Sequence, residues 1–508
     1  MVIGINIQGL AYYSPDILFG DVVKQSQPSL TPCTIDARGN PHASSAQNPL
    51  PAPTIGPDGW PVALPNYPPS SGVMFNVFGG EGQRPEFPAG NYTLNLRGLG
   101  TLIIYQTVGK PQIFVGTGQA VTVAVPIQSV GSGITFLITA TDPNHPLRFS
   151  LTTPQAAGIW HQPFLDALAP FAILRCMCPL GTNNSPIKNW SDAPQLSQRS
   201  YAGPNGVPLE TLIDLANTTG KNLWLCGPHG GTPSYFQDRY ALIYANLDTS
   251  LSFVDEYSNE NWNYASAFAQ GYDFVNTYAN AYQPRSISAP EAWADLSLAM
   301  WSVGRQVFGP QSNRLIRVYG TQTGPGGQWQ LKKGLDWILA HADPTDPNKG
   351  VDVVSCAPYF GPASSCIATY CAATTTAQIL ADYQAAIPGA ISRLTAYLAV
   401  RDSFTTAFGR KLPFWAYEGG PGMTDQSGAS SPYFAAYCAT QTDPGIGAVV
   451  TNYLQALAGA GVDAICFFDL AGMVSGWGNW GAIEYYGSPQ TPKYDALAAA
   501  IAATPATP

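Results

Sequence analysis

Two glutamates close apolar, strand-like runs in this chain: Glu260 in Tyr257-Ser258-Asn259-Glu260, and Glu418 in Trp415-Ala416-Tyr417-Glu418-Gly419-Gly420. Double displacement at a glycosidic bond needs such a pair, one carboxyl as general acid and base and the other as nucleophile, about 5 Å apart across the scissile bond. One carboxyl must be kept protonated and the other ionised, and the charge on one raises the pKa of the other. The two glutamates are remote in sequence, so the chain must bring distant segments together. A barrel of parallel strands does so, because its active site gathers the C-terminal ends of several strands.

Other residues of suitable type fall at the ends of similar runs. Asn259 is suited to hydrogen-bond a sugar 2-hydroxyl, an interaction that strengthens in the transition state. Arg175 is placed to hold Glu418 ionised, and Tyr359, in Ala357-Pro358-Tyr359-Phe360, to hydrogen-bond it. His229 could orient substrate or the acid/base. Sugar rings present apolar faces that stack on aromatic side chains. Trp477 and Trp480, in Gly476-Trp477-Gly478-Asn479-Trp480-Gly481, read as a loop at the floor of a saccharide cleft, and Trp262 and Tyr257 flank Glu260. Each has a plainer reading: Arg175 as a structural ion-pair partner, His229 as a satisfied histidine, the tryptophans as packing at a barrel mouth. Asp255 and Glu256 are rival carboxyls, read as helix-facing or salt-bridged residues of the barrel wall.

From residue 150 onward, short apolar runs alternate with longer amphipathic stretches, the pattern of repeated strand-helix units around a parallel sheet. Strands are expected at 171–177, 222–227, 252–258, 314–319, 351–356, 412–417 and 462–468, with helices near 207–219, 233–247, 288–308, 327–342, 375–407, 432–460 and 490–503. The N-terminal run at 2–6, followed by a helix-like stretch ending near Gln25, supplies the eighth strand of an α/β fold, a (β/α)8 TIM barrel. Between 28 and 150 the chain turns Pro-rich and then alternates, as in Tyr92-Thr93-Leu94-Asn95-Leu96 and Val121-Thr122-Val123-Ala124-Val125, which predicts an inserted β-sandwich. The expected organisation is therefore 1–27 as the first barrel unit, 28–150 as the insertion, 151–503 as the rest of the barrel and 504–508 as a linker remnant.

Composition narrows the partners. Of 508 residues only 11% are charged, the net charge is −9, and there are 51 glycines and 45 prolines. The balance argues against nucleic acid and against an anionic membrane, and fits a loop-rich extracellular surface. No uninterrupted apolar run of spanning length occurs, since Pro388 and Arg393 break the best candidate. No basic segment with an apolar stretch precedes Val2, so a secretory signal is expected to have been removed and the location to be secreted or periplasmic. Nine cysteines leave at least one unpaired within the chain. Cys366 and Cys371 flank a short loop and could bridge, whereas Cys176, Cys178, Cys226 and Cys466 read as buried thiols. No Cys-x-x-Cys pair and no ligand spacing of the histidines points to zinc, and no cofactor is called for.

Counted from the N-terminus, Asn259-Glu260 closes the fourth strand and Glu418 the seventh. This resembles clan A of the retaining glycoside hydrolases, and the resemblance implies that Glu260 protonates the leaving oxygen while Glu418 attacks the anomeric carbon. A closer likeness lies in Leu174-Arg175-Cys176-Met177, Thr182-Asn183-Asn184-Ser185-Pro186, Trp190 and Tyr257-Ser258-Asn259-Glu260-Asn261-Trp262-Asn263. These segments resemble secreted bacterial proteins often labelled cellulose-binding, a likeness covering about 160 to 485 and the first strand, and Asn183 joins the expected substrate contacts through it. That group would carry an acidic residue at Cys178 and a valine at Asn261. The expected function is a retaining, endo-acting β-glycosidase on a polysaccharide or oligosaccharide, cellulose-like β-glucans first. The alternatives are a non-catalytic carbohydrate-binding protein on a degenerate barrel, or a xylanase, mannanase, exo-glycosidase or transglycosylase using the same two glutamates.

Overall fold

The computed structural model describes residues 1–503 apart from 46–48, 79–86, 109–110, 117, 119, 127–132 and 426. The expected linker remnant at 504–508 lies outside the described residues. The chain divides into two compact units, one of Met1–Gly9, Ala167–Ala193 and Leu209–Pro508, the other of Leu10–Asp166 and Pro194–Pro208.

The first unit is a closed barrel of eight parallel strands in chain order: β1 (Val2–Asn6), β2 (Ile173–Arg175), β3 (Asn222–Gly227), β4 (Phe253–Tyr257), β5 (Leu315–Gly320), β6 (Val353–Cys356), β7 (Phe414–Ala416) and β8 (Ala464–Phe467). It is a (β/α)8 TIM barrel, closed by the register Val2↔Ala464 to Ile5↔Phe467 between β1 and β8. Successive residues of a strand point to opposite sides. Ile173, Trp224, Val254, Val318, Val353 and Cys466 accordingly fill the interior as one cluster, while their neighbours pack against the helices.

The helices are delimited by signals legible in the sequence. Helix 289–308 starts from a capping box in which Ser288 and Glu291 satisfy each other's backbone donors, and it stops at Gly309, φ +49°. Helix 444–460 starts at Asp443 with Pro444 in its first turn and stops at Gly461, φ +95°. Helices also cover 209–219, 233–246, 327–341, 376–403 and 492–503, within the expected ranges. A helix at 269–281 between β4 and β5 was not expected. Its sequence, AQGYDFVNTYANA, buries only Gly271, Val275 and Ala279, so its apolar stripe is thin.

The second unit pairs a six-stranded and a three-stranded antiparallel sheet across one core that includes Val73, Phe75, Tyr92, Leu94, Phe136 and Phe149. It is the expected β-sandwich, with wider boundaries than composition alone indicates. Leu10–Gln27 does not form the helix of the first barrel unit. Its one helical turn, Val22–Gln25, is 3-10 and buries Val22 and Val23 in the sandwich core. Two apolar residues in sequence suit such a short buried turn better than an amphipathic helix. The first α-helix of the chain is instead Gln162–Leu168, whose last two residues open the return to the first unit. Residues 194–208 join the sandwich because Arg199 donates to Gly59, Ser26 and Pro28, and Lys24 donates to the carbonyls of Leu196 and Gln198.

All nine cysteines are free, so Cys366 and Cys371 form no bridge. Among the described residues no helix is long and apolar enough to cross a membrane, and no group of three His, Cys, Asp or Glu side chains is placed to hold a metal ion.

Candidate active site

Arg175 ends β2 with its side chain inside the barrel and fully buried. Its guanidinium is a junction. Nε and Nη2 donate to Glu256 Oε2 at 3.2 and 2.9 Å, Nη1 to Glu418 Oε1 at 2.7 Å and to Asn6 Oδ1 at 2.9 Å, and Nη2 also to Asn259 Oδ1 at 2.9 Å. Five bonds from one planar fork fix the relative positions of β1, β2, β4 and Glu418, two residues beyond β7. Asn6 is held in turn by the carbonyls of Tyr417 and Cys466, at 3.0 and 2.9 Å. The second oxygen of Glu418 accepts from the Tyr359 hydroxyl at 2.9 Å. Both carboxylate oxygens of Glu418 are therefore oriented by donors. Burial and the adjacent carboxylates push the Tyr359 phenol well above its ordinary range, so it remains a donor.

Glu260 has different surroundings. It accepts from Asn263 Nδ2 at 2.9 Å and from the Tyr417 hydroxyl at 3.4 Å, and neither partner carries charge. Burial, with the charge of Glu418 second, raises its pKa to about 7. Its backbone and that of Ser258 sit at φ +45° and +56°, in the left-handed region that side-chain-bearing residues seldom occupy. Such a conformation costs about 1–2 kcal/mol and persists where surrounding contacts impose it. Here the Ser258 amide donates to Gly227, the Trp293 indole to the Tyr257 carbonyl, and the Asn263 amide to the Glu260 carbonyl.

The alternation along β4 sorts the rival carboxyls. Asp255 faces outward to Arg239 Nη2 at 2.8 Å and to the Tyr240 hydroxyl, a helix-facing ion pair. Glu256 faces inward, takes Trp224 Nε1 at 3.0 Å and the Cys226 thiol at 3.4 Å besides Arg175, and lies under the site. Asn259 Nδ2 donates to Asn183 Oδ1 at 3.0 Å, which places Asn183 beside the site. Trp262 packs on Trp293 and Tyr417, with ring centroids 4.9 and 6.2 Å apart. Cys178 is a neutral thiol nearby, pushed up to about 12 by burial and then by Glu418 and Asp469.

Trp480 meets the ring of Tyr359 edge-on at 5.3 Å, and that of Phe468 at 6.0 Å. A glycine makes this possible, since a Cβ on Gly422 would lie 1.8 Å from the indole. Buried Lys493 donates to the carbonyls of Asn479 and Gly481 on either side of Trp480, and Tyr383 to the Asn479 side chain at 3.1 Å. Trp477 is 79% exposed, and its carbonyl accepts the Trp480 indole N–H at 2.8 Å. His229 is buried with Nδ1 unpartnered among the described residues, and burial lowers its pKa. Its carbonyl accepts from Tyr257 at 2.7 Å, and its ring packs edge-on against Phe274 at 5.6 Å.

Sequence reasoning did not assign roles to Asn6, Tyr417, Asn263 and Lys493. Asn6 and Tyr417 carried a signal, being polar groups at the inward-facing ends of β1 and β7. Lys493 carried none, because a lysine on a helix ordinarily faces water.

No protein-family model and no curated protein matches the chain. Among solved structures it is similar to a family 51 alpha-L-arabinofuranosidase from Bifidobacterium longum, at 14% identity over 69% of this chain and 68% of that one, TM-score 0.45. It is also similar to a GH5 xyloglucan-specific endo-beta-1,4-glucanase from a metagenomic library, solved with cellotriose, at 12% identity over 68% and 88%, TM-score 0.33. A Bacteroidetes-affiliated GH5 cellulase aligns at 12% identity over 67% and 85%, TM-score 0.36. Likeness at this level assigns no activity.

Proposed function

We propose that the protein is a retaining glycoside hydrolase acting on a β-linked polysaccharide, endo-acting and with a cellulose-like β-glucan as first substrate. One observation carries the reading: two carboxyls at the C-terminal mouth of one barrel have opposite environments. Glu418 is ion-paired and oriented at both oxygens, whereas burial raises Glu260 to about 7. In this reading Glu418 attacks the anomeric carbon while Glu260 gives its proton to the departing oxygen, leaving a glycosyl ester on Glu418. Glu260, now a carboxylate, takes a proton from water as that water attacks the same carbon, which frees Glu418. Arg175 and Tyr359 position the nucleophile, Asn259 faces the 2-hydroxyl, and Trp480 floors the cleaved sugar's subsite. Trp262, Asn183 and His229 line its approaches. The sparse charge and loop-rich composition support a secreted or periplasmic setting.

The test is reducing-sugar release from a panel of β-glucans, xylan and mannan, comparing wild type with Glu418→Gln. Release that is lost in the variant is the expected result. Polysaccharide binding without release from any member would replace the hydrolase reading with that of a binding protein.

A further inference from the structure

The β-sandwich unit contains seven lysines and arginines: Lys24, Arg38, Arg84, Arg97, Lys110, Arg148 and Arg199. Four of them, Lys24, Arg97, Arg148 and Arg199, line one cavity of about 550 Å³, in which Asp21 is the only carboxylate among the described residues. Two carboxylates stand against these four cations, Asp21 and the Asp58 paired with Arg148, so the described lining keeps a net positive charge. Arg97 and Arg148 stand directly opposite each other in an antiparallel pair, on the same face, an arrangement that destabilises a sheet unless counter-charge is supplied. Arg148 gives Nε to Asp58 at 2.6 Å, but its terminal nitrogens and the whole guanidinium of Arg97 have no acceptor among the described residues. Arg199, only 1% exposed, donates to two carbonyls and a hydroxyl and to no carboxylate. A buried cation with neutral partners projects its field into the cavity.

A second cavity of about 270 Å³ shares Arg199 as a wall and adds Asp58, Gln198, Ser200 and Asn205. On the first cavity's wall, Asn95 and Ser150 lie opposite each other on the same sheet, the amide donating to the hydroxyl at 3.4 Å. An isolated small anion would use the arginine pair and leave this amide and hydroxyl lining idle. A sugar chain bearing carboxylates would use both.

We infer that the β-sandwich unit carries a binding site for an acidic oligosaccharide, whose uronate carboxylate bridges Arg97 and Arg148 while ring hydroxyls bond Asn95, Ser150 and the polar groups of the second cavity. Paired guanidinium-carboxylate bonds of this kind are among the strongest polar contacts proteins make. The site is independent of the two catalytic glutamates. Only the choice of a saccharide over another carboxylic acid rests on the hydrolase reading.

Titration calorimetry of the full chain with trigalacturonate tests this, with cellotriose, inorganic sulfate and inorganic phosphate as comparisons. Expected are binding of trigalacturonate that weakens as salt is raised, and a loss of at least tenfold in both Arg97→Gln and Arg148→Gln, each still folded by its thermal melt. Absence of trigalacturonate binding, wild-type affinity in both variants, or binding of sulfate or phosphate as tight as that of trigalacturonate would each overturn the proposal. Trigalacturonate binding in a chain that releases sugar from no polysaccharide would keep this site and remove the hydrolase reading alone.

Discussion

At the scale of single residues, two carboxyls of the same chemistry, Glu260 and Glu418, differ in environment. Replacing Glu418 by Gln removes the proposed nucleophile and is expected to lower kcat by about 10⁴-fold or more. Replacing Glu260 by Ala should cost about 10²–10⁴-fold on substrates whose leaving group needs a proton, and much less on an aryl glycoside whose leaving group does not. Steady-state kinetics on both substrate types separates the two roles. Because Glu260 must be protonated to act as acid and titrates at about 7, kcat/KM should fall as pH rises through that value. The same shift affects stability. Its ordinary value is 4.5, so between that pH and about 7 the unfolded chain ionises while the folded group stays protonated, and stability declines. Glu260→Gln abolishes the difference, so its stability relative to wild type should rise from pH 4 to pH 8, by up to about 3 kcal/mol. Thermal melts at the two pH values would read it.

Arg175 is the other residue whose role is more than local. Removing it as Arg175→Met leaves Glu256 and Glu418 buried without their cation, a loss of about 3–5 kcal/mol. Arg175→Lys keeps the charge but cannot span the same acceptors. It should fold and still lose about 10²-fold in kcat, as a misplaced catalytic group does. The placement of the two glutamates, Arg175, Asn259 and Tyr359 just past or at strand ends was legible from type and spacing. The shared use of Arg175 by Glu256 and Glu418 was not, because alternation tells which way a side chain points and not which neighbour it meets.

At the scale of elements, the barrel strands were readable because each is a short apolar run bounded by turn residues, and most helices because their caps and stripes agree. The stretch before Gln25 misled for a physical reason: apolar residues close together suit a helix face and a buried 3-10 turn alike. The loop after β8 is where element and site meet. Lys493 anchors it from helix 492–503, and Gly422 leaves room for the Trp480 ring. Gly422→Ala should push Trp480 off Tyr359 and raise KM for oligosaccharides while the barrel still folds. Tryptophan fluorescence together with KM measured on substrates of increasing length would check it, and unchanged values would remove Trp480 from the substrate floor.

At the scale of the whole molecule, the fold class followed from eight runs spread over the chain, yet closure depends on β1, whose partners on β8 lie at the opposite end of the sequence. The boundary of the sandwich was less legible, since residues 194–208 join it through side chains such as Arg199 rather than through any pattern of their own. All nine cysteines are thiols. A thiol assay in denaturant without reductant should therefore count nine, with exposed Cys371 and half-buried Cys366 reacting most readily in the native state. Seven would mean that Cys366 and Cys371 are joined.

The central claim is that Glu418 forms a covalent bond to sugar. A 2-deoxy-2-fluoro-β-glycoside with an activated leaving group slows both steps by destabilising the positive charge at the anomeric carbon, while its leaving group restores the first. Peptide mass spectrometry after such treatment should find one added sugar on the peptide containing Glu418, absent in Glu418→Gln. Label on Glu260 or Glu256 instead, or hydrolysis of the parent glycoside with inverted anomeric configuration and no label, would contradict the account.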